Sequence, residues 1–165
     1  MKRIMAIDPL LELLAQNARF SHQELAELLK KDEQEVADQM AGWQKDGTIL
    51  GYHTVIDREQ AGDDRVAAFI EVKLTPERGG GFDRLAMRIA RFDQVSSCFL
   101  ASGGYDLMVV VKGPSLREVA RFVSEKLSTI DGVLSTATHF RLKTYKENGF
   151  IFEQEEPEGR LAVSP

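Results

Sequence analysis

The order of secondary-structure signals between residues 66 and 145 constrains the fold of this 165-residue chain more than any other feature. Segments of β-branched and aromatic residues predict strands there, and apolar residues spaced three and four apart predict helices. Ser115 and Glu118 form a capping box that begins the second of these helices. In chain order, the predicted elements are strand 68–74, helix 82–90, strand 95–101, strand 105–112, helix 115–127 and strand 133–143.

This βαββαβ order predicts a ferredoxin-like domain, in which two helices lie on one face of an antiparallel sheet. The opposite face then carries exposed aromatic and aliphatic side chains, which a soluble protein normally covers. We therefore expect a homodimer, or a higher homo-oligomer, to form through this domain.

Three short helices followed by a strand are predicted before residue 57. Asp8 precedes Pro9 in the manner of a helix cap, and Ser21 with Glu24 forms another capping box. Asp32 can cap the third helix, and Gly47 can end it. The predicted helices span 9–17, 21–29 and 32–46, and the strand spans 49–56. This pattern is typical of a winged helix-turn-helix, so the overall class is α+β, although many three-helix units only pack.

Charge and composition divide the chain into four parts. The expected boundaries are a winged helix-turn-helix domain at 1–56, a polar connector at 57–65, a ferredoxin-like domain at 66–152 and a mobile acidic tail at 153–165. The total of 21 basic and 26 acidic residues, a net charge of −5, argues weakly against nucleic acid as a partner. The distribution of charge is more informative than this total.

Composition excludes several classes of protein. No apolar stretch approaches the roughly 18–20 residues of a membrane span, and a single cysteine excludes an internal disulfide framework. The three histidines are too far apart in sequence to suggest a metal site. We therefore expect a cytoplasmic protein with no membrane partner, no cofactor, no metal and no catalytic residues.

The third predicted helix is unusually acidic for one that enters DNA. Between residues 32 and 46 it has five acidic residues and one basic residue, Lys45. Since phosphate contacts come mainly from Lys, Arg and backbone amides, they should lie at the approaches to this helix. Glutamine can read adenine in the major groove. The candidate DNA-binding residues are Lys2, Arg3, His22, Lys30, Lys31, Gln34, Gln39 and Lys45.

The segment Ser102-Gly103-Gly104-Tyr105-Asp106 lies between two predicted strands and has the composition of a ligand-binding turn. Glycine allows backbone amides to approach a carboxylate closely, and the Asp106 carboxylate can bind an ammonium group. Together these groups would bind an amino-acid zwitterion. From the residues alone, however, a plain hairpin turn with Asp106 hydrogen-bonded locally is the favoured interpretation.

The two modules in this order resemble the Lrp/AsnC (feast/famine) family of transcription regulators over residues 4 to about 152. The matching stretches are Leu25-Ala26, 46–52, the glycine turn to Asp106, Gly132-Val133, Thr136 and Thr138. The resemblance implies sequence-specific binding to double-stranded DNA, dimers that often assemble into octamers, and a RAM-type effector domain. It implies an amino-acid effector bound between dimers by Ser102, Gly103, Gly104, Tyr105 and Asp106, with Ser135, Thr136 and Thr138 of a neighbouring subunit.

The chain departs from the family pattern in its third helix. Gln39 and Gly42 stand where the family usually has arginine, and Lys31-Asp32 stands where it usually has a serine cap. We therefore expect weak DNA binding per subunit, which avidity across an oligomer can offset. The alternative is an oligomeric metabolite-binding module whose helix-turn-helix contacts protein. Some proteins with both modules are siroheme decarboxylases, but no His-Tyr-Arg-like cluster favours that activity here.

Overall fold

The computed structural model describes residues 7–75 and 81–152, and the chain divides into two compact units between Thr54 and Val55. This division lies next to the domain end predicted at residue 56. Lys2, Arg3 and the predicted acidic tail at 153–165 lie outside the described residues. Within the described ranges, no helix has the length and hydrophobicity needed to cross a bilayer.

The first unit contains the three predicted helices, α1 (Pro9–Gln16), α2 (His22–Leu29) and α3 (Glu33–Asp46). Their caps are confirmed: Asp8 accepts a hydrogen bond from the Leu10 amide, Ser21 forms the full capping box, and Asp32 caps α3. Gly47 ends α3 with φ of 82°, a backbone conformation that favours glycine. The core is formed by Leu10, Leu14, Leu25, Ala26, Val36 and Met40, with Trp43 packed against it.

The strand predicted at 49–56 does not form, which corrects the wing of the predicted winged helix. No residue of this segment belongs to a β-ladder with another described residue, and the Leu50 side chain is 95% exposed. Its aliphatic and aromatic residues are typical of a strand, but a strand also needs a neighbour for its backbone hydrogen bonds. The segment therefore has no regular secondary structure in the single chain.

The second unit has a four-stranded antiparallel sheet with the order β2-β3-β1-β4. Its elements are β1 (Val66–Leu74), α4 (Asp83–Ala90), β2 (Val95–Leu100), β3 (Leu107–Gly113), α5 (Leu116–Phe122) and β4 (Val133–Phe140). A π-helical turn, Val123–Leu127, extends α5. This is the predicted βαββαβ topology.

The segment that follows the last sheet strand differs from the prediction. The last sheet strand ends at Phe140 instead of Lys143. The Arg141 amide still donates to the Ala67 carbonyl of β1, and residues 142–144 are not in a strand. A small hairpin that the sequence analysis missed follows it, with β5 (Lys146–Glu147) and β6 (Phe150–Ile151).

Alternation along the central strands separates a core face from an open face. Ile70, Val72, Val109 and Val111 are fully buried against α4 and α5. Within the second unit, no described helix packs on the other face, as the sequence predicted. This face carries exposed Phe69 and Phe99 and a contact between His139 Nε2 and Glu71 Oε1, which are 3.3 Å apart. The open face thus combines aromatic and charged groups.

Candidate functional site

The first candidate surface is the helix-turn-helix formed by α2 and α3. Only three residues, Lys30 to Asp32, separate the two helices, and Lys30 has φ of 54°. Such a short turn is typical of DNA-binding helix pairs. Of the candidate DNA-binding residues that the structure describes, His22, Lys30, Gln34 and Lys45 are exposed, whereas Lys31 and Gln39 are partly buried.

One exposed stripe runs along α3 with the helical spacing of four, three and four residues. It consists of Gln34, Asp38, Ala41 and Lys45. The amide Nε2 of Gln34 donates to Asp38 Oδ1 over 2.9 Å, which leaves the carbonyl oxygen of Gln34 available. Asp38 therefore puts a negative charge at the centre of the stripe. Asp38 was not among the sequence-predicted site residues, although its spacing of four from Gln34 places it on the same side of the helix.

Gln39 is engaged inside the first unit. Its Nε2 donates to Asp8 Oδ2 over 3.0 Å, and its Oε1 accepts from Lys31 Nζ over 3.0 Å. Lys31 also pairs with Glu35, with Nζ and Oε1 3.2 Å apart. Gln39 and Lys31 are thus both partly buried and already paired with groups of the first unit. Their contribution to DNA binding stays a prediction, as does that of exposed Gln34.

The second candidate surface is the glycine turn between β2 and β3. Gly103 has φ of 138°, and residues 102–104 are exposed. The Ala101 amide donates to the Asp106 carbonyl over 2.9 Å and closes the turn. The structure therefore presents the backbone of Ser102, Gly103 and Gly104 at the surface, as a ligand-binding turn requires.

Asp106 attaches this turn to the neighbouring strand. Its amide donates to the Val72 carbonyl over 3.0 Å, and its Oδ2 accepts from the Leu74 amide over 2.7 Å. This is the local hydrogen bonding that the plain-turn interpretation expected. The second carboxylate oxygen, Oδ1, has no hydrogen-bond partner within the described residues. Asp106 therefore retains one acceptor for a ligand.

The residues of β4 that the resemblance implicated lie on two faces of the sheet. Val72 pairs with both Leu107 and Thr136, so Thr136 and the turn lie at the same end of the sheet, about 10 Å apart across β1. Thr136 and Thr138 pair with core residues of β1, and Thr136 hydrogen-bonds Ser128. Ser135 pairs with Lys73 on the open face. One protomer therefore does not bring these side chains together with the turn.

Comparison with known proteins identifies the family. Residues 67–150 match the model of the Lrp/AsnC ligand binding domain. The chain is 46% identical over 157 residues to the HTH-type transcriptional regulator YugG of Bacillus subtilis (strain 168), covering 94% of this chain and 95% of that protein. The chain belongs to the Lrp/AsnC family. It is thus a transcriptional regulator with a ligand-binding domain, and the Bacillus relative is likewise named a transcriptional regulator.

Solved structures of this family have the same fold. AsnC of E. coli superposes with a TM-score of 0.63 at 25% identity, over 86% of this chain and 96% of that one. The Neisseria meningitidis regulator NMB0573, solved as a complex with L-Met, superposes with a TM-score of 0.64 at 22% identity, over 86% and 94%. The helix-turn-helix and ferredoxin-like combination predicted from sequence is therefore confirmed at the level of the fold.

Proposed function

We propose that this Lrp/AsnC regulator controls genes of amino-acid metabolism, binding promoter DNA through α2 and α3 and an amino acid at the glycine turn. The observation that carries the proposal is the turn itself. Its exposed backbone around Gly103 adjoins the Asp106 carboxylate, whose Oδ1 has no hydrogen-bond partner in the part of the chain that the structure describes. An amino acid presents the complementary carboxylate and ammonium groups. The meningococcal relative was solved with L-Met, which supports the same class of effector.

Assembly is part of this proposal. The open face of the sheet exposes Phe69 and Phe99, and a second copy of the same face would cover them in a two-fold dimer. Dimers would then associate into a higher oligomer such as an octamer, so that Ser135, Thr136 or Thr138 of one subunit approaches the turn of another. An effector bound there would favour one spacing of the DNA-reading helices by linkage. We place this regulator in the cytoplasm, where DNA and amino acids are both available.

The acidic α3 favours a second candidate, an oligomeric metabolite-binding protein whose helix-turn-helix contacts another protein. Asp38 lies in the exposed stripe, and Lys31 is paired with Glu35. Both features weaken attraction to phosphates. The two candidates share the effector site and differ only in what the first unit binds.

A thermal-shift screen of the full chain against the twenty amino acids, followed by gel-shift assays on its own promoter region, tests the proposal. We expect at least one amino acid to raise the melting temperature, because a ligand of the native state stabilises it by mass action. We expect promoter binding that falls steeply with salt and changes with that amino acid. Stabilisation without promoter binding at low salt would favour the second candidate, and no stabilisation would exclude an amino-acid effector.

A further inference from the structure

The acidic charge of α3 is mostly explained by the two ends of the helix. Asp32 caps its first turn, and Asp46 at its end accepts a hydrogen bond from the Thr48 amide over 2.9 Å. Glu33 and Glu35 lie in the first turn, where the helix macrodipole favours negative charge. Four of the five acidic residues between positions 32 and 46 therefore contribute to the stability of the helix.

Asp38 is the fifth of these acidic residues, and it lies in the middle of the helix. Aspartate is unfavourable in a helix interior, because its side chain competes for backbone hydrogen bonds. Asp38 is two positions from both Val36 and Met40, which are buried in the core, so it lies on the opposite side of the helix. Its one partner among the described residues is Gln34, another member of the exposed stripe. No described contact with the core or the caps of the first unit therefore accounts for Asp38.

The hydrogen bond between Gln34 and Asp38 decides which groups α3 presents. A carboxylate only accepts, so the nitrogen of the Gln34 amide must face Asp38. Gln34 then retains one N–H and its oxygen, the two groups that pair with N7 and N6 of adenine. Asp38 retains Oδ2, a charged acceptor that matches the N4 amino group of cytosine. Guanine O6 and N7 and thymine O4 are acceptors, which would leave this carboxylate unpaired.

The position of Asp38 along α3 suits contact with a base. In helix-turn-helix proteins, residues near the start of the second helix contact base edges in the major groove. Asp38 lies one turn after Gln34, a rise of about 6 Å along the helix. Successive bases of one strand are about 3.4 Å apart, so the two side chains can reach bases that are adjacent or one apart. Ala41, next in the stripe, is small enough to allow close approach, and Lys45 at its end can contact a phosphate.

We propose that Asp38 determines the sequence specificity of this regulator by accepting a hydrogen bond from a cytosine, at a cost in overall affinity for DNA. The inference rests on the proposed DNA binding through α2 and α3. Repulsion between Asp38 and phosphates is the same for every sequence, whereas the hydrogen bond favours a single base. The two effects of one carboxylate can therefore be measured separately.

Selection of the full chain on a library of random duplexes, followed by titration of the selected operator and its single-base variants, tests this proposal. Asp38→Ala should bind arbitrary sequences more tightly and should lose about tenfold discrimination at one C·G base pair only. Asp38→Asn should change the preferred base at that position from cytosine to adenine, because asparagine pairs with N6 and N7 of adenine. Damage to the fold would not produce a new preference.

Glu33→Gln is the matched control, because it removes an exposed carboxylate of the same helix that lies outside the stripe. We expect it to raise affinity for all sequences and to leave every base preference unchanged. The proposal is overturned if Asp38→Ala gains affinity uniformly, as this control does, or if Asp38→Asn keeps the original preference. Failure of the unmodified chain to select any sequence would instead overturn the proposed DNA binding, and this role of Asp38 with it.

Discussion

The side-chain amide of Gln39 donates a hydrogen bond to the carboxylate of Asp8, 31 positions earlier in the chain, across 3.0 Å. Asp8 caps α1, and the other end of the Gln39 amide accepts from Lys31 in the turn before α3. One side chain therefore connects the start of α1 to the turn of the helix-turn-helix. This contact makes Gln39 a positioning residue of the first unit.

Gln39→Ala should destabilise the first unit, because it removes two partly buried hydrogen bonds worth about 1–2 kcal/mol together. Trp43 is the only tryptophan and packs against the core of this unit, so its fluorescence in urea follows unfolding there. The matched control is Gln34→Ala, which removes only an exposed contact worth about 0.5 kcal/mol or less. We expect Gln34→Ala to weaken promoter binding and to leave the free energy of unfolding almost unchanged. Equal losses of stability in the two variants would contradict the role of Gln39 as a positioning residue of the first unit.

Gly42→Arg should strengthen DNA binding. Gly42 lies on the exposed part of α3, and a Cβ added there meets no atom within 4 Å. Replacing a helical glycine adds about 0.5–1 kcal/mol of stability, and the new cation adds one phosphate contact. Gly42→Ala separates the two effects, since it stabilises the helix without adding charge. Gel-shift titrations over a range of salt should show a slope of log affinity steeper by about 0.9 for the arginine variant only.

The stability of the first unit should fall as the pH is lowered below the ordinary pKa of glutamate, about 4.3. Hydrogen bonds from the backbone amide and hydroxyl of Ser21 hold the pKa of Glu24 below its usual value. Because the folded-state pKa is the lower one, this stabilisation is complete above the unfolded pKa and is lost as the pH falls through the folded one. Melting curves monitored by Trp43 fluorescence should therefore depend less on pH in Glu24→Gln. The control is Glu27→Gln, outside the capping box.

Asp106→Asn should weaken binding of the effector found in the screen by about tenfold or more, because it removes the charged partner of the ammonium group. Asparagine keeps a side-chain oxygen for the Leu74 amide, so the turn should stay attached to β1. Calorimetry measures the affinity directly. Asp106→Ala loses both contacts and should lower the melting temperature as well. Unchanged affinity in the asparagine variant would rule out this carboxylate as an effector contact.

Phe99→Glu should shift the oligomer towards monomer, because it puts a charge into the face that we propose is covered by a second copy. Phe99 is 57% exposed in the single chain, so the substitution should not disturb the core. Size-exclusion chromatography with light scattering reports the mass. The matched control is Phe150→Glu, a phenylalanine of similar exposure (56%) on the hairpin after β4. An unchanged mass for Phe99→Glu would place the interface elsewhere.

The secondary structure was largely determined by local sequence. Capping residues such as Asp8, Ser21 and Asp32 contact backbone amides two or three positions away, so their spacing alone located the helix starts. Alternation in β1 likewise located its core face, because successive side chains point to opposite sides of a strand. The strand predicted at 49–56 failed for the complementary reason: it has the strand pattern but no partner among the described residues.

The sequence also marked the glycine turn as a candidate ligand site, since its glycines and Asp106 are adjacent in the chain. Only the tertiary structure decided how the side chains are used. The contact of Asp106 with Leu74 and that of Gln39 with Asp8 each join segments far apart in sequence. No local pattern encodes such contacts, because they depend on how helices and strands pack. The tertiary structure therefore showed that Gln39 is held within the helical unit and that Asp106 attaches the glycine turn to β1.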